Sequence, residues 1–386
     1  MRTDVAPTPQ PATVAQPATI LVSLELSQKS WVITVQPPDV EKMSRHGIEA
    51  GDTEKLLSLL HHHRTRTAAR TGATPHIVSI QEAGLDGFWL HRWLEAAGIE
   101  SHVVDAASIA APRRKRRAKT DGIDGETLVR TLAAWRRREP HVCSMVAVPT
   151  VEQEDRRRLS RERERLMKER IGLTNRIYGL LASQGAGAYD ALKTDRWPAL
   201  AALRTGDGGE LPPQLAAEIR RMLVRLDLIM EQIKAVEAER DAMLAAEAAE
   251  HGPVVALLCR LYGIGPQFAA VLVLECLYRT FGNRRQLAAF AGLAPTPWRS
   301  GSINREQGIS GGGNPRLRKT LIEMAWMWLR WQPGSALGQW FQQRAAGANG
   351  RTRRILAVAL ARKLLIALWR YVQDGVVPQG AVLKAA

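Results

Sequence analysis

Four carboxylic acids in the first third of the chain stand where acidic side chains can converge. Glu25 and Glu82 each end a predicted strand, and Asp121 and Asp124 lie three residues apart at a predicted helix start. Open α/β sheets place sites at the carboxyl ends of their strands, and residues three apart share one helix face. Such a cluster binds Mg²⁺, and two ions can clamp the attacking and leaving oxygens of phosphoryl transfer. Alternatively, Asp121 and Asp124 are ordinary first-turn acids that suit the helix dipole.

A basic run lies directly before the two aspartates. It consists of Arg113, Arg114, Lys115, Arg116, Arg117 and Lys119. A run of this kind is often a solvated loop. Its position beside the carboxylates favours a role in binding phosphates.

Ser300 is a candidate nucleophile in a predicted exposed loop that is rich in Pro and Gly. A serine nucleophile needs exposure, a means of deprotonation and positive charge around the phosphate. Arg299 and Arg305 can supply that charge, and Ser302 and Ser310 are near enough to compete for the role. No histidine lies nearby, which argues against a Ser-His-Asp triad.

Two further patterns have competing interpretations. Gly263-Ile264-Gly265-Pro266 is typical of a helix-hairpin-helix turn that binds phosphate through backbone N–H groups, but such glycines also cap helices. His61-His62-His63 has no further ligand cluster to join. We expect it to be a solvated helix face.

The composition indicates a polyanionic partner. The 386 residues carry 54 Lys and Arg against 38 Asp and Glu, a net charge of +16, and 45% of them are hydrophobic. This chain can bury a core, and nucleic acid is the expected partner. Three scattered cysteines without a C-x-x-C pair exclude a disulfide framework and a zinc ribbon.

The chain shows no signal peptide and no membrane span in its sequence. Residues 1–17 lack an apolar segment, and the most apolar stretch, 355–369, is interrupted by Arg362 and Lys363. We therefore expect a flexible tail over 1–17 and a cytoplasmic location, in a reducing compartment.

The first third alternates strand and helix patterns. Predicted strands span 20–25, 31–35, 76–81 and 101–104, with helices over about 52–70 and 87–97 and a third opening near residue 120. This alternation predicts an α/β domain with helices packed on a sheet, over residues 18–145.

The middle of the chain has heptad spacing. Leu159, Leu166 and Leu173 recur every seven residues, and a second seam consists of Leu215, Ile219, Met222, Leu226, Ile229, Ile233 and Val236. The pattern predicts a long antiparallel coiled coil over 146–250, either a spacer arm or an oligomerisation element.

The last third, 251–386, is predicted to be a separate helical domain. Apolar helices are expected over about 254–261 and 267–277, and another begins at Pro315 with Asn314 as its N-cap. Trp326, Trp328 and Trp331 on that helix are expected in the core.

Several ordered motifs together resemble the IS110 ("IS one-ten") family of insertion-sequence transposases, which includes the Piv-type invertases. In the first third these motifs are Val22-Ser23-Leu24-Glu25-Leu26-Ser27, Gln81-Glu82-Ala83-Gly84 and Lys119-Thr120-Asp121-Gly122-Ile123-Asp124-Gly125. In the last third they are Tyr262-Gly263-Ile264-Gly265, Phe290-Ala291-Gly292-Leu293-Ala294-Pro295, Arg299-Ser300-Gly301 and Gly313-Asn314-Pro315-Arg316-Leu317-Arg318.

The resemblance implies a RuvC-like (RNase H-like) DEDD domain and a helical transposase domain with a serine nucleophile. It implies that Glu25, Glu82, Asp121 and Asp124 bind Mg²⁺ and that Ser300 forms a covalent phosphoserine link to DNA. It further implies donor and target DNA, a structured noncoding "bridge" RNA, and a homo-oligomer, a dimer of dimers, with composite sites. Arg299, Arg316 and Arg318 then join the basic run as expected nucleic-acid contacts.

One position departs from the family pattern. The first acid of the family is usually Asp, and Glu25 occupies that place here. Glu has the same ligating group on a stem one methylene longer, so metal binding is still expected.

Two alternative functions fit the same residues. A RuvC-like hydrolytic nuclease, such as a junction resolvase, would use water as the nucleophile. A non-catalytic nucleic-acid-binding relic of a transposase would cut nothing. Carboxylates at all four positions argue against decay of the site.

Overall fold

The computed structural model describes residues 18–84, 87–109, 121–140, 142–251, 254–300, 303–309 and 312–384. The side chains of 107, 121–123, 247–251, 297–300 and 303–307 are not described. The predicted tail over 1–17, the basic run over 113–119, and Ser302 and Ser310 therefore lie outside the described residues. The chain divides into two units, one ending at Pro149 and the other starting at Thr150.

The first unit contains a five-stranded mixed sheet. Its strands are β1 (Thr19–Glu25), β2 (Ser30–Gln36), β3 (Ser44–Glu49), β4 (His76–Glu82) and β5 (Glu100–Val104), in the order β3-β2-β1-β4-β5. β1 and β2 pair antiparallel, as do β2 and β3, whereas β4 is parallel to both β1 and β5. Its helices are α1 (Thr53–Thr71), α2 (Trp89–Ala96) and α3 (Asp121–Arg136). The predicted α/β sheet is confirmed.

Both faces of the sheet are covered, which accounts for its apolar central strands. On one face Ile20, Val22 and Leu24 of β1 pack with leucines of α1 and α2. On the other face Val78 and Ile80 of β4 pack against α3. Because successive strand residues point to opposite faces, odd-numbered residues of β1 and even-numbered residues of β4 face α3.

Strand β3 was not predicted, because Ile48 is its one buried residue. An edge strand needs little apolar surface, and β3 has the polar composition that protects such edges.

Strand β3 also corrects the expectation for the histidine run. His63 on α1 is only 8% exposed, and its Nε2 lies 3.2 Å from Nε2 of His46 on β3. Burial, with His46, His62 and Arg66 nearby, lowers the pKa of His63. The predicted solvated face is therefore wrong for His63, because the strand that provides its partner was missed.

The second unit begins with an antiparallel pair of long helices. These are α5 (Arg158–Ala182) and α7 (Pro213–His251), preceded by the short α4 (Val151–Asp155) and joined through α6 (Arg196–Ala202). Ion pairs Arg163–Glu237 and Arg176–Glu218 link their opposite ends. The predicted seam of α7 is buried at Ile219, Met222, Leu226, Ile233 and Val236.

The remainder of the second unit is helical apart from one hairpin. It contains α8 (Val254–Cys259), α9 (Pro266–Leu272), a π-helical turn (Val273–Leu277), α10 (Arg284–Phe290), β6 (Pro295–Ser300), β7 (Ile303–Ile309), α11 (Pro315–Trp331), α12 (Ala336–Ala345) and α13 (Gly350–Asp374). The hairpin replaces the predicted exposed loop. None of the described helices is long and apolar enough to cross a membrane.

The tryptophans of α11 behave differently from one another. Trp328 is fully buried, and its Nε1 donates to Ser335 Oγ at 2.9 Å. Trp326 and Trp331 are 41% and 49% exposed. Core placement is thus confirmed for one of the three and wrong for the other two, because a helix buries one stripe of its surface.

Candidate active site

Glu25 and Glu82 lie side by side at one edge of the sheet. Strands β1 and β4 are parallel neighbours paired up to Leu24 and Gln81, and each of the two acids is the last residue of its strand. Neighbouring strands are about 4.8 Å apart. The alternation described above turns both carboxylates toward the face covered by α3.

Gly125, the fifth residue of α3, lies against the carboxyl end of β1. Ser23 Oγ of β1 donates to the Gly125 carbonyl at 2.9 Å, in a buried hydrogen bond. A Cβ placed on Gly125 would lie 2.7 Å from Glu25 Oε1 and 3.3 Å from Ser23 Oγ, and would overlap Thr34 Oγ1. The absence of a side chain at residue 125 is what allows the helix to approach the sheet this closely.

Asp124 immediately precedes Gly125 on α3. Asp121 opens the same helix and is described by its backbone alone. Among the described side chains, which include those of Glu25, Glu82 and Asp124, no group of three His, Cys, Asp or Glu is close enough to hold a metal ion.

The donor atoms at this edge suit a hard cation. The four predicted acids offer only oxygen, the ligand atom that Mg²⁺ and similar divalent ions prefer. The close approach of Gly125 to Glu25 would hold that carboxylate in place. The chemistry of these donor atoms therefore suits a divalent metal of the Mg²⁺ type, while the described carboxylates by themselves do not form a complete metal site.

Gly125→Ala is expected to destabilise the protein by about 1–3 kcal/mol, because the added methyl overpacks against Glu25 and Thr34. Gly172→Ala is the matched control, since Gly172 is an exposed residue of α5 with open space around its Cβ position. Alanine there should stabilise by up to about 1 kcal/mol through helix propensity. Urea unfolding of both variants checks the opposite signs, and equal effects would contradict the close approach of α3.

Ser300 is the last residue of β6, at the far end of the β6–β7 hairpin. It pairs across the hairpin with Ile303, while Arg299 pairs with Asn304 and Trp298 with Arg305. The two prolines of β6 led to the prediction of a loop here. A two-stranded ribbon has only edge strands, however, and proline is tolerated in edge strands. The strand places Ser300 at its carboxyl end, opposite the first residue of β7.

At the base of the hairpin, the backbone before β6 lies in close contact with the backbone after β7. Gly292 (φ +65°) and Gly313 (φ +72°) adopt the left-handed conformation, and a Cβ on Gly292 would overlap the Gly312 carbonyl. The Asn314 amide donates to the Phe290 carbonyl at 2.7 Å. The glycines of both motifs are thus required by the geometry of the hairpin base.

Two of the predicted nucleic-acid contacts have partners within the second unit. Arg316 Nη1 lies 2.5 Å from Glu164 Oε2, and Arg318 Nη1 donates to the Gly312 carbonyl at 3.1 Å. Both arginines therefore support the start of α11. Their contact with nucleic acid stays a prediction, as does that of Arg299, whose side chain is not described.

Gly263 also has a packing role. Its φ is +86°, and a Cβ there would lie 3.2 Å from the Met327 carbonyl and from Trp331 Cβ of α11. The turn before α9 is therefore fitted against a helix, and Gly265 is the N-cap residue of α9, so both glycines of the motif have structural roles.

Sequence reasoning missed Glu275, which is 1% exposed and paired with Arg161. A signal was available, because this acid interrupts the apolar segment 271–277 of a predicted helix. A charge inside such a segment is seldom left without a partner.

Comparisons with known proteins all indicate a transposase. Residues 255–338 match the family model described as "Transposase IS116/IS110/IS902 family", a region that contains the β6–β7 hairpin and all of α11. The chain is 57% identical over 374 residues to the putative transposase y4rJ of Sinorhizobium fredii, covering 95% of this chain and 94% of that protein. It is 27% identical over 267 residues to the transposase for insertion sequence element IS1328 of Yersinia enterocolitica, covering 67% and 73% of the two chains.

Proposed function

Because this chain belongs to the IS116/IS110/IS902 family of transposases, we propose that it cuts and rejoins DNA through two sets of residues, the acids of the first unit and Ser300 of the second. The adjacency of Glu25 and Glu82 at the ends of parallel strands, with Gly125 of α3 packed against Glu25, carries this proposal. The strand order β3-β2-β1-β4-β5, with only β2 reversed among the inner strands, supports a RuvC-like fold.

Glu25, Glu82, Asp121 and Asp124 would hold Mg²⁺ at the sheet edge. The bound metal supplies positive charge for the oxygens on which charge develops. The chain's own part is to keep the carboxylates fixed, and the packing of Gly125 against Glu25 would do this for one of the four. Preorganised charge of this kind contributes more to catalysis than charge that must reorganise.

Ser300 would act as the nucleophile. Its Oγ attacks the phosphorus, an Oγ–P bond forms, and one bridging P–O bond of the DNA strand breaks. The serine proton passes to a base and the departing oxygen takes up a proton. The covalent link keeps a phosphodiester in place of the broken one, so a DNA hydroxyl can reverse the step and rejoin the strands without external energy.

A structured RNA and a homo-oligomer complete the proposal. The net charge of +16 suits a protein that binds RNA together with donor and target DNA. The α5–α7 pair offers an arm through which subunits can associate, with the acids of one subunit serving the serine of another. In such an arrangement, isolated subunits would be inactive.

The test is to trap the covalent intermediate. Purified protein is incubated with Mg²⁺, donor and target DNA, and RNA transcribed from the noncoding DNA that flanks the gene. We expect a protein–DNA adduct that survives denaturation and disappears when Mg²⁺ is chelated or the RNA is digested. Cleavage without an adduct would instead favour the hydrolytic nuclease, and binding without cleavage would favour the non-catalytic relic.

A further inference from the structure

A buried ion pair lies where three parts of the second unit meet. Glu275, in the π-helical turn, is 1% exposed. Its Oε1 and Oε2 accept hydrogen bonds from Nε and Nη2 of Arg161 on α5, at 2.9 and 3.1 Å. Oε2 also accepts from Asn314 Nδ2 at 3.0 Å. The carboxylate thus joins the long helix α5 to the start of α11.

Glu275 is charged in this setting. Burial by itself raises the pKa of a carboxyl group, but the hydrogen bonds and charge of Arg161, the bond from Asn314 and the charge of Arg157 outweigh it and hold the pKa of Glu275 below its usual value. A buried charge is retained at a cost unless hydrogen bonds satisfy it. The bidentate arginine and the amide meet that condition here.

The Asn314 side chain links the Glu275 carboxylate to the first turn of α11. Its Oδ1 accepts from the backbone amides of Arg316 and Leu317, both at 3.1 Å, and so caps α11. Its Nδ2 is the group that donates to Glu275. A carboxylate can only accept, so Glu275 dictates which end of the amide faces the helix.

Asn314 is also part of the base of the β6–β7 hairpin. Its backbone amide donates to Phe290, and the glycines beside it cross Gly292 without room for a side chain. From this base to Ser300 strand β6 extends about 17 Å, so a tilt of about 5° moves the tip by about 1.5 Å. A displacement of about 1 Å can reduce a reaction rate about a hundredfold.

We propose that Glu275 is a positioning residue for Ser300, because its carboxylate links Arg161 of α5 to Asn314 at the hairpin base. The inference rests on the proposed function of Ser300 as nucleophile. It adds that the direction in which the hairpin presents Ser300 is set by the helical arm, so that movement of α5 is transmitted to the serine.

Two variants test the link. Glu275→Gln keeps the shape but removes the charge, and Asn314→Ser keeps an N-capping hydroxyl while removing the donor to Glu275. Glu218→Gln is the control, because it breaks an exposed α5–α7 ion pair with Arg176, 15 residues along α5 from Arg161 and away from the hairpin base. If Glu275→Gln fails to fold, Asn314→Ser alone tests the link between Glu275 and the hairpin base.

Two measurements are made on the full chain with RNA and DNA. We expect both test variants to form the adduct about tenfold or more slowly at saturating DNA, with DNA and RNA affinity within about twofold of wild type. Amide hydrogen exchange over 295–300 and 303–309 should be faster than in wild type. The control should match wild type in both measurements.

The results separate the positioning role from the nucleophile itself. If the wild-type chain forms no adduct, the proposed function fails, and hydrogen exchange still tests whether Glu275 and Asn314 hold the hairpin. Unchanged exchange in Asn314→Ser overturns the link. Unchanged adduct rates, or a rate loss explained entirely by weaker DNA binding, overturn the positioning role.

Discussion

Ser300→Ala is expected to abolish strand cleavage and the covalent adduct, a loss of more than about a thousandfold in rate, while DNA and RNA binding survive. Alanine removes the only atom that would bond to phosphorus. Binding should persist because affinity for nucleic acid comes mainly from basic residues that this change leaves in place. Denaturing gels of labelled DNA measure cleavage and adduct together, and a mobility-shift assay measures binding.

Ser302→Ala is the control for this experiment, since Ser302 lies two residues further along the chain. It should keep cleavage and adduct. An adduct that persists in Ser300→Ala would transfer the role to Ser302. Mixing Ser300→Ala with an acid-site variant should restore some activity if active sites are composite, because some mixed oligomers would contain one intact pair.

The acid set is expected to be equally sensitive. Alanine at Glu25, Glu82, Asp121 or Asp124 should remove Mg²⁺-dependent cleavage, because each change removes a ligand where charge develops in the transition state. Glu25→Asp should be tolerated, since it keeps a carboxylate and restores the acid usual in the family. Cleavage assays over a Mg²⁺ titration distinguish weaker metal binding from complete loss.

Glu126→Ala provides a matched control on the same helix. Glu126 follows Gly125 directly, and its carboxylate pairs with Arg45 at 2.6 Å on the surface. An exposed pair of this kind contributes little to stability, so this variant should cut at the wild-type rate. Full activity in any of the four acid variants would remove that residue from the site.

Local patterns determined much of this architecture. Strands β1, β2, β4 and β5 were predicted near their observed bounds because their apolar residues are contiguous. The acids ending β1 and β4 could be expected to meet, because parallel neighbours end at the same edge. The buried seam of α7 and the Asn314 cap followed from heptad spacing and from the chemistry of the side chain.

Tertiary structure decided the features that depend on a distant partner. His63 is buried because β3 passes beside α1, and β3 itself has one buried residue. The β6–β7 hairpin depends on the close backbone contact between Gly292 and Gly312, which the sequence does not show. Pro295 and Pro297 in β6 favoured a loop instead.

The ion pair of Glu275 and Arg161 is the clearest feature that the sequence alone does not predict, since its two members are 114 positions apart in the chain. Periodicity along a chain records which positions face a core, because burial repeats with the helix or strand. The pairing of two particular polar groups leaves no such repeat. It arises only when folding brings them to hydrogen-bond distance and removes water from both.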